Sequence, residues 1–392
     1  MNKIYSKYII PYIYILGIMQ LMQIRGVGWG CVLLTILNII TILSNFKLIL
    51  HDKTGIVKFS LFYVGIVVIY QLLTPPLDKM YNPYYPLFYH VFITTGISFW
   101  IMGYKGYNIL SPDIRKIILY AIIFALLFAF TLMFKTGGIV NLLGNSEIYE
   151  FLYQIVPYLM LWMTSALFLF NKKTRVLIVF LFVIIILIST KRGPLVTMGL
   201  GFLFILFFAR KVSLKSVILT LLFITIFYLF LTTFDIFYLD WFNRWNASDD
   251  VSNGREEIWN LILNQIDKQN VLTTLLGNGY EASHKITYKY LWGAIGAHND
   301  FIDILFNFGL VGLTAFILLI LSWIKIVFFA NKVNYEYRDM MIYILVCFLV
   351  GSIISSNMTR YATIYFGAFF YYFSGLLSFK QNKYVLGHNK SI

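Results

Sequence analysis

The sequence predicts an all-α, polytopic integral membrane protein, because apolar segments, most of them close to the roughly 20 residues that span a bilayer, recur along it about 12 times. Composition is the first reason: 60% of the 392 residues are hydrophobic and only 12% are charged, which excludes a water-soluble domain. Backbone chemistry is the second, since lipid offers no partner for unpaired N–H and C=O groups, so open-ended spanning segments must be helical. We predict a single transmembrane domain over residues 1–392.

The predicted transmembrane helices are the stretches that contain no Asp, Glu, Lys or Arg. In chain order they are residues 8–24, 29–46, 59–74, 86–104, 117–134, 151–170, 176–190, 194–209, 216–234, 308–324, 340–357 and 361–379.

The distribution of positive charge predicts the orientation of these helices. Most of the 31 Lys and Arg residues fall at the termini and in alternate connections, which places both termini in the cytoplasm. Residues 235–299 then form one large extracytoplasmic loop. The net charge of +14 follows from this topology, and no nucleic-acid partner is predicted, because the basic residues are dispersed and lack interleaved aromatic residues.

The first candidate site lies in "STKRGP", residues 189–194, between two short predicted helices on the outer side. Helices this short do not cover the full hydrocarbon thickness, so the turn with Lys191 and Arg192 should sit below the outer surface. A cation in that place predicts an anion-binding role, above all for Arg192. The alternative is that both side chains reach up to lipid head groups.

The second candidate site lies in the long loop, in "NGREEIWNLILNQI", residues 253–266. Its apolar residues recur at helical spacing, which predicts an amphipathic helix lying on the membrane. Arg255 falls in the first turn, where the helix dipole disfavours a cation unless an anion is bound nearby. The alternative is an ordinary solvated charge paired with Glu256 or Glu257.

The third candidate site is "GAHNDFIDILFNFGLVG", residues 296–312, which passes from a polar turn into an apolar helix. His298 and Asn299 stand at the start, and helical spacing puts Asp300, Asp303 and Asn307 on one face. Upstream, "LLGNGYEASH" contains a Gly-Asn-Gly turn, and its histidine, residue 284, is predicted to lie on the surface. Gly309 and Gly312 are predicted to allow close helix packing.

Taken together, these motifs resemble the O-antigen polymerase and O-antigen ligase superfamily of bacterial membrane glycosyltransferases. The matching elements lie within residues 176–330: Arg192-Gly193, Gly254-Arg255 with Trp259, Leu276-Gly277-Asn278-Gly279, and His298-Asn299 with Gly309 and Gly312. Pro194 departs from the Leu or Ala that many members carry soon after the Arg-Gly pair. This departure affects the turn and keeps the arginine.

The resemblance implies a donor glycan on undecaprenyl diphosphate, transferred to an acceptor hydroxyl at the outer face of the bacterial inner membrane. It implies catalytic roles for Arg192 and Arg255, which neutralise the diphosphate leaving group, and for His298 as general base. The candidate substrate-binding residues are Lys191, Asn299, Asp300 and Arg360. No metal or cofactor is expected, since the sequence has no Walker loop, GxGxxG, paired CxxC or HExxH motif.

The expected partners are the undecaprenyl-diphosphate-linked oligosaccharide and the lipid bilayer, with a chain-length regulator protein as a further candidate. Of the two activities, the sequence favours the polymerase that joins repeat units, because it is very aromatic and divergent, as is typical of enzymes that each recognise one sugar pattern. The alternatives are a ligase that transfers the finished glycan to lipid A core, and a transporter or flippase. Transport is disfavoured because no charged residue lies mid-span as a coupling site.

Overall fold

The computed structural model describes residues 8–16, 27–74, 85–135, 168–188, 192–208, 255–291, 296–333, 335–354 and 364–388. Within these ranges the regular structure is helical and contains no strand, as predicted. The helices, apart from the short stretch 8–16, are α1 (Val27–Ser44), α2 (Phe46–Leu50), α3 (Ile56–Leu73), α4 (Tyr85–Tyr104), α5 (Pro112–Lys135), α6 (Lys172–Ile188), α7 (Arg192–Phe208), α8 (Arg255–Ile266), α9 (Val271–Leu276), α10 (Ala282–Leu291), α11 (Asp300–Lys332), α12 (Arg338–Ile354) and α13 (Ile364–His388).

Two of these helices, α3 and α11, are long and apolar enough to cross a membrane by length and composition. Shorter apolar helical stretches occur at Trp29–Ser44 and Val196–Ile205. Of the predicted spans, 216–234 and nearly all of 151–170 lie outside the described residues, as does most of the first half of the long loop. The count of twelve crossings and the cytoplasmic placement of the termini therefore stay predictions.

Aromatic rings from four helices meet at the centre of the packed helices. Trp323 of α11 stacks on Phe370 of α13 with ring centroids 4.1 Å apart, and lies 4.9 Å from Phe348 of α12. Phe348 in turn stacks on Phe92 of α4 at 5.9 Å. All four side chains are buried. This contact ties α11, which carries the candidate site at its start, to the rest of the fold.

Glycines let α4 and α13 approach each other closely. Gly103 faces the backbone of Tyr372, and Gly375 faces the backbone of Trp100, at distances that leave no room for a Cβ atom. Small residues at helix contacts are the usual means of close packing between apolar helices in membranes. The α4–α13 pair is therefore a rigid support behind α11 and α12.

A buried carboxylate organises the beginning of α3. Asp52 is 2% exposed, and its Oδ1 accepts hydrogen bonds from the backbone N–H and hydroxyl of Thr54. Its Oδ2 accepts the N–H of Val57 at 2.9 Å. The bond from Val57 satisfies an N–H group that the first turn of a helix leaves without an intrahelical partner. The far end of α3 carries Tyr70 and Thr74, which hold the loop described next.

Candidate functional site

The turn that carries His298 is a strained segment held by the start of α11. His298 has a left-handed backbone (φ 52°), which is uncommon for a residue with a side chain. Asn299 follows as the N-cap, and its Oδ1 accepts the N–H groups of Phe301 at 2.9 Å and Ile302 at 3.2 Å. Asp300, at 2% exposure, opens the helix. The helix therefore begins directly after the histidine, as predicted.

Both polar backbone groups of Ala297, the residue before His298, are bound by side chains. The indole Nε1–H of Trp259 donates to the Ala297 carbonyl at 2.5 Å. The Ala297 N–H donates to Oδ1 of Asp303 at 2.8 Å. Trp259 comes from α8 and Asp303 from α11, so the histidine turn is held between two helices. Arg255 lies one turn before Trp259 on the same face of α8.

Helix α8 is amphipathic, as predicted, and the protein covers part of its apolar face, while its position on the membrane stays a prediction. Ile258 and Ile262 are buried in a cluster with Ala282, Ala297 and Phe306. Amphipathic spacing shows only that one face is covered, and here the protein covers it.

The Leu-Gly-Asn-Gly motif docks on a break in α11. The N–H and Nδ2 of Asn278 both donate to the carbonyl of Phe306, at 3.0 and 2.9 Å, and the N–H of Gly279 donates to the carbonyl of Asn307 at 2.9 Å. Gly309 leaves helical geometry at the same place (φ 63°, ψ −164°). The break lets N–H groups of the loop donate to carbonyls that a continuous helix would use internally.

Gly309 serves close backbone packing, and its partners are the end of α9 and the loop that follows. Gly309 faces the backbone of Leu275, in the last turn of α9, and of Gly277, in the docked loop. Gly277 also has a positive φ of 82°, and a Cβ on either glycine would overlap the backbone of the other segment. The two glycines thus form a contact made of backbone alone.

Replacing Gly309 with alanine is expected to destabilise the protein by about 2 kcal/mol or more, because a methyl group would add both strain and a backbone overlap. Loss of thermal stability in detergent or proteoliposomes measures this effect. Gly65→Ala in α3 is the matched control, since nothing lies within 4 Å of its would-be Cβ. It should be neutral or stabilising. Equal stability of the two variants would contradict the backbone contact.

The end of α3 holds the other side of this loop. The hydroxyl of Tyr70 donates to the carbonyl of Leu276, and the N–H of Tyr280 donates to Oγ1 of Thr74 at 3.1 Å. The rings of Tyr70 and Phe308 lie 5.3 Å apart. The Gly-Asn-Gly loop thus lies between two candidate membrane helices, α3 and α11, and contacts both.

Polar side chains are buried beneath the histidine turn, and sequence reasoning placed one of them wrongly. His284, predicted to lie on the surface, is 5% exposed, and burial lowers its pKa to about 4, so it is neutral at physiological pH. Gly296 is close to both His284 and Asp303: a Cβ there would lie 3.1 Å from Nε2 of the former and 2.9 Å from Oδ2 of the latter. Asn307, 2% exposed, accepts the N–H of Ser283 at 2.8 Å.

Glu281 is a second buried titratable group in this region. It is 4% exposed and has a left-handed backbone (φ 57°). Burial raises its pKa to about 7, although a hydrogen bond from Tyr280 and the charge of Lys285 act in the opposite direction. A carboxylate with such a pKa can take up or release a proton near neutrality.

Of the predicted site residues, His298, Asn299 and Asp300 are consecutive in the turn that opens α11, and the Trp259–Ala297 hydrogen bond places α8, which begins at Arg255, against this turn. Arg192 begins α7, which packs on α12. The side chain of Arg192, and both Lys191 and Arg360, lie outside the described residues. Within the described part of the chain, no group of three or more His, Cys, Asp or Glu residues is arranged to hold a metal ion.

Comparison with known proteins yields one family. Residues 177–317 match the family model described as O-antigen ligase, and no curated protein matches the chain. The matched segment is shorter than half of the chain, and it runs from α6 into α11. It contains Arg192, Arg255, the Gly-Asn-Gly loop and His298, but not Arg360. Members of this family are integral membrane proteins and glycosyltransferase-like enzymes of the polymerase or ligase type. The family match confirms the resemblance to the O-antigen polymerase and O-antigen ligase superfamily.

Proposed function

We propose that this protein is an O-antigen polymerase, which joins undecaprenyl-diphosphate-linked oligosaccharide repeat units at the outer face of the bacterial inner membrane. The observation that carries the proposal is the hydrogen bond from Trp259 to Ala297, which ties the helix of Arg255 to the turn of His298. The family match to residues 177–317 supports the same class of reaction. A multi-pass topology with cytoplasmic termini and an extracytoplasmic loop 235–299 belongs to this proposal.

The proposed reaction is a displacement at the anomeric carbon of the donor. The acceptor hydroxyl oxygen forms a bond to that carbon, the bond from carbon to the diphosphate oxygen breaks, and the diphosphate leaves with the electron pair. His298 takes the proton of the acceptor hydroxyl. Arg192 and Arg255 neutralise the charge that develops on the leaving group, for which planar guanidinium groups are well suited. A diphosphate stabilised in this way needs no protonation, so no general acid and no metal is required.

The lesser roles are also proposals. Lys191, Asn299, Asp300 and Arg360 remain the predicted substrate-binding residues. The Oδ1 atom of Asn299 caps α11, so part of its contribution is to hold the turn beside His298. A chain-length regulator protein remains a candidate partner.

The ligase is the second candidate, and the description of the matching family, O-antigen ligase, is the observation that favours it. A ligase would use the same donor, leaving group and base, and would differ in its acceptor, lipid A core. The site residues alone therefore fit both enzymes, and the composition of the chain favours the polymerase. The transporter is a weaker alternative, because a family of glycosyltransferase-like enzymes matches the segment with the arginines and the histidine.

Deletion of the gene separates these activities. We expect the surface polysaccharide, run on a gel, to collapse from a ladder to core capped with a single repeat unit. Uncapped core with accumulating lipid-linked polymer would show a ligase instead. Repeat units trapped on the cytoplasmic side would show a transporter, and an unchanged ladder would contradict all three activities.

A further inference from the structure

Beyond the residues assigned to the reaction, two side chains hold the histidine turn in place. We propose that Trp259 and Asp303 are positioning residues, which together fix His298 relative to Arg255. The inference rests on the proposed function, because it concerns how the base and one phosphate-binding arginine are kept at a working distance. It assigns no chemical step to either residue.

The backbone at His298 needs external support. A residue with a side chain in the left-handed region costs on the order of 1–3 kcal/mol and persists only where its surroundings determine it. The preceding residue, Ala297, is 0% exposed and has its carbonyl bound by Trp259 and its N–H bound by Asp303. The following residue, Asn299, caps α11. The residues on both sides of His298 are therefore held, which limits where its side chain can lie.

The partners of Ala297 come from the two helices that carry the chemistry. Trp259 stands four residues after Arg255, so the indole and the guanidinium project from one face of α8. Asp303 stands one turn inside α11, directly below the histidine turn. Ile258 and Ile262 pack α8 against Ala297 in one apolar cluster. Loss of either hydrogen bond would release the turn while leaving the apolar contact in place.

Misplacement of a catalytic group by about 1 Å can cost on the order of 10²-fold in rate. We therefore expect Trp259→Phe, which keeps an aromatic ring but loses the N–H donor, to lower kcat by about 10-fold or more. Affinity for the lipid-diphosphate donor should change less than about twofold, because the arginines hold the phosphates. Leu263→Ala, on the exposed face of the same helix, is the control and should have normal kcat. A folded Trp259→Phe protein with normal kcat overturns the proposal.

The Asp303 variants test the same inference by a different route. Asp303→Asn keeps a carbonyl oxygen that can accept the Ala297 N–H, and it should retain activity within several-fold. Asp303→Leu removes the acceptor with little change in size, and it should lose activity at least as severely as Trp259→Phe. If Asp303→Asn is as inactive as Asp303→Leu, the carboxylate acts by its charge or as a base, and the positioning role is wrong.

A double variant separates this inference from the proposed function. If Trp259 acts through His298, then Trp259→Phe should cause no further loss in the residual activity of His298→Ala, because coupled groups are not additive. An equal fold-loss in both backgrounds would show that Trp259 acts independently, and overturns the proposal. By contrast, near-normal activity of His298→Ala alone would contradict the general-base assignment. Normal Trp259→Phe together with inactive His298→Ala would contradict positioning only.

Discussion

Replacing His298 with alanine is expected to lower polymer formation by about 10²–10⁴-fold, the usual cost of removing a general base. The protein should remain folded, because the turn is held by contacts of Ala297 and Asn299 and not by the imidazole. It should also bind the lipid-linked donor, since the arginines are proposed to hold the diphosphate. Elongation of purified lipid-linked repeats, together with a donor-binding assay, measures both expectations.

The pH dependence gives the same prediction a second readout. Imidazole accepts a proton only in its neutral form, so the wild-type rate should fall as the pH drops through the pKa of the histidine. A carboxylate base with an ordinary pKa would place this fall at lower pH. The structure removes that distinction for Glu281, because burial raises its pKa to about 7. A carboxylate base with that pKa would also lose activity as the pH falls through neutrality.

Glu281→Gln is therefore the matched control for the histidine variant. If His298 is the base, Glu281→Gln should keep both the activity and the fall in rate at low pH. The fall should vanish in the residual activity of His298→Ala. Near wild-type elongation by His298→Ala would instead direct attention to Glu281, and then to the buried carboxylates of Asp300 and Asp303.

The helical class and the place of the histidine turn were predictable, because each depends on local sequence. A long apolar segment in a membrane must be helical. An Asn followed by an acidic first turn is a typical helix start, as Asn299 and Asp300 show. The clustering of the family motifs was also predictable in part, since the motifs resemble a known superfamily. The described structure brings the Arg255 helix and the Gly-Asn-Gly loop to the same end of α11.

What could not be predicted depends on partners distant in sequence. A glycine such as Gly309 permits close approach by any backbone, and its spacing to Gly312 does not show that the partners are the end of α9 and the loop at Gly277. Likewise, an amphipathic face can be covered by lipid or by protein. The helical spacing of Ile262 is the same in both cases, so the sequence does not distinguish them. His284 is buried because Gly296 brings the histidine turn onto it, a contact between residues in separate segments.

Replacing Arg255 with lysine is expected to abolish most activity although the charge is kept, because lysine lacks the two-pronged donor geometry that matches a phosphate. Losing one such donor in the transition state costs about 3–4 kcal/mol, or on the order of 10²–10³ in kcat. Arg192→Lys should behave in the same way. The measurement is the rate of elongation of lipid-linked repeats, with protein level and thermal stability as checks on folding.

The position of Arg255 makes this test specific. As the first residue of α8 it lies beside backbone N–H groups that point out of the helix, a setting that favours a bound anion and disfavours a lone cation. Lys268→Gln is the control, since it removes an exposed positive charge just after the same helix and should have little effect. If Lys268→Gln and Arg255→Lys reduce the rate equally, a general positive field acts on the donor. If Arg255→Lys is fully active, Arg255 is a solvated surface charge, and the leaving group must be neutralised by other residues.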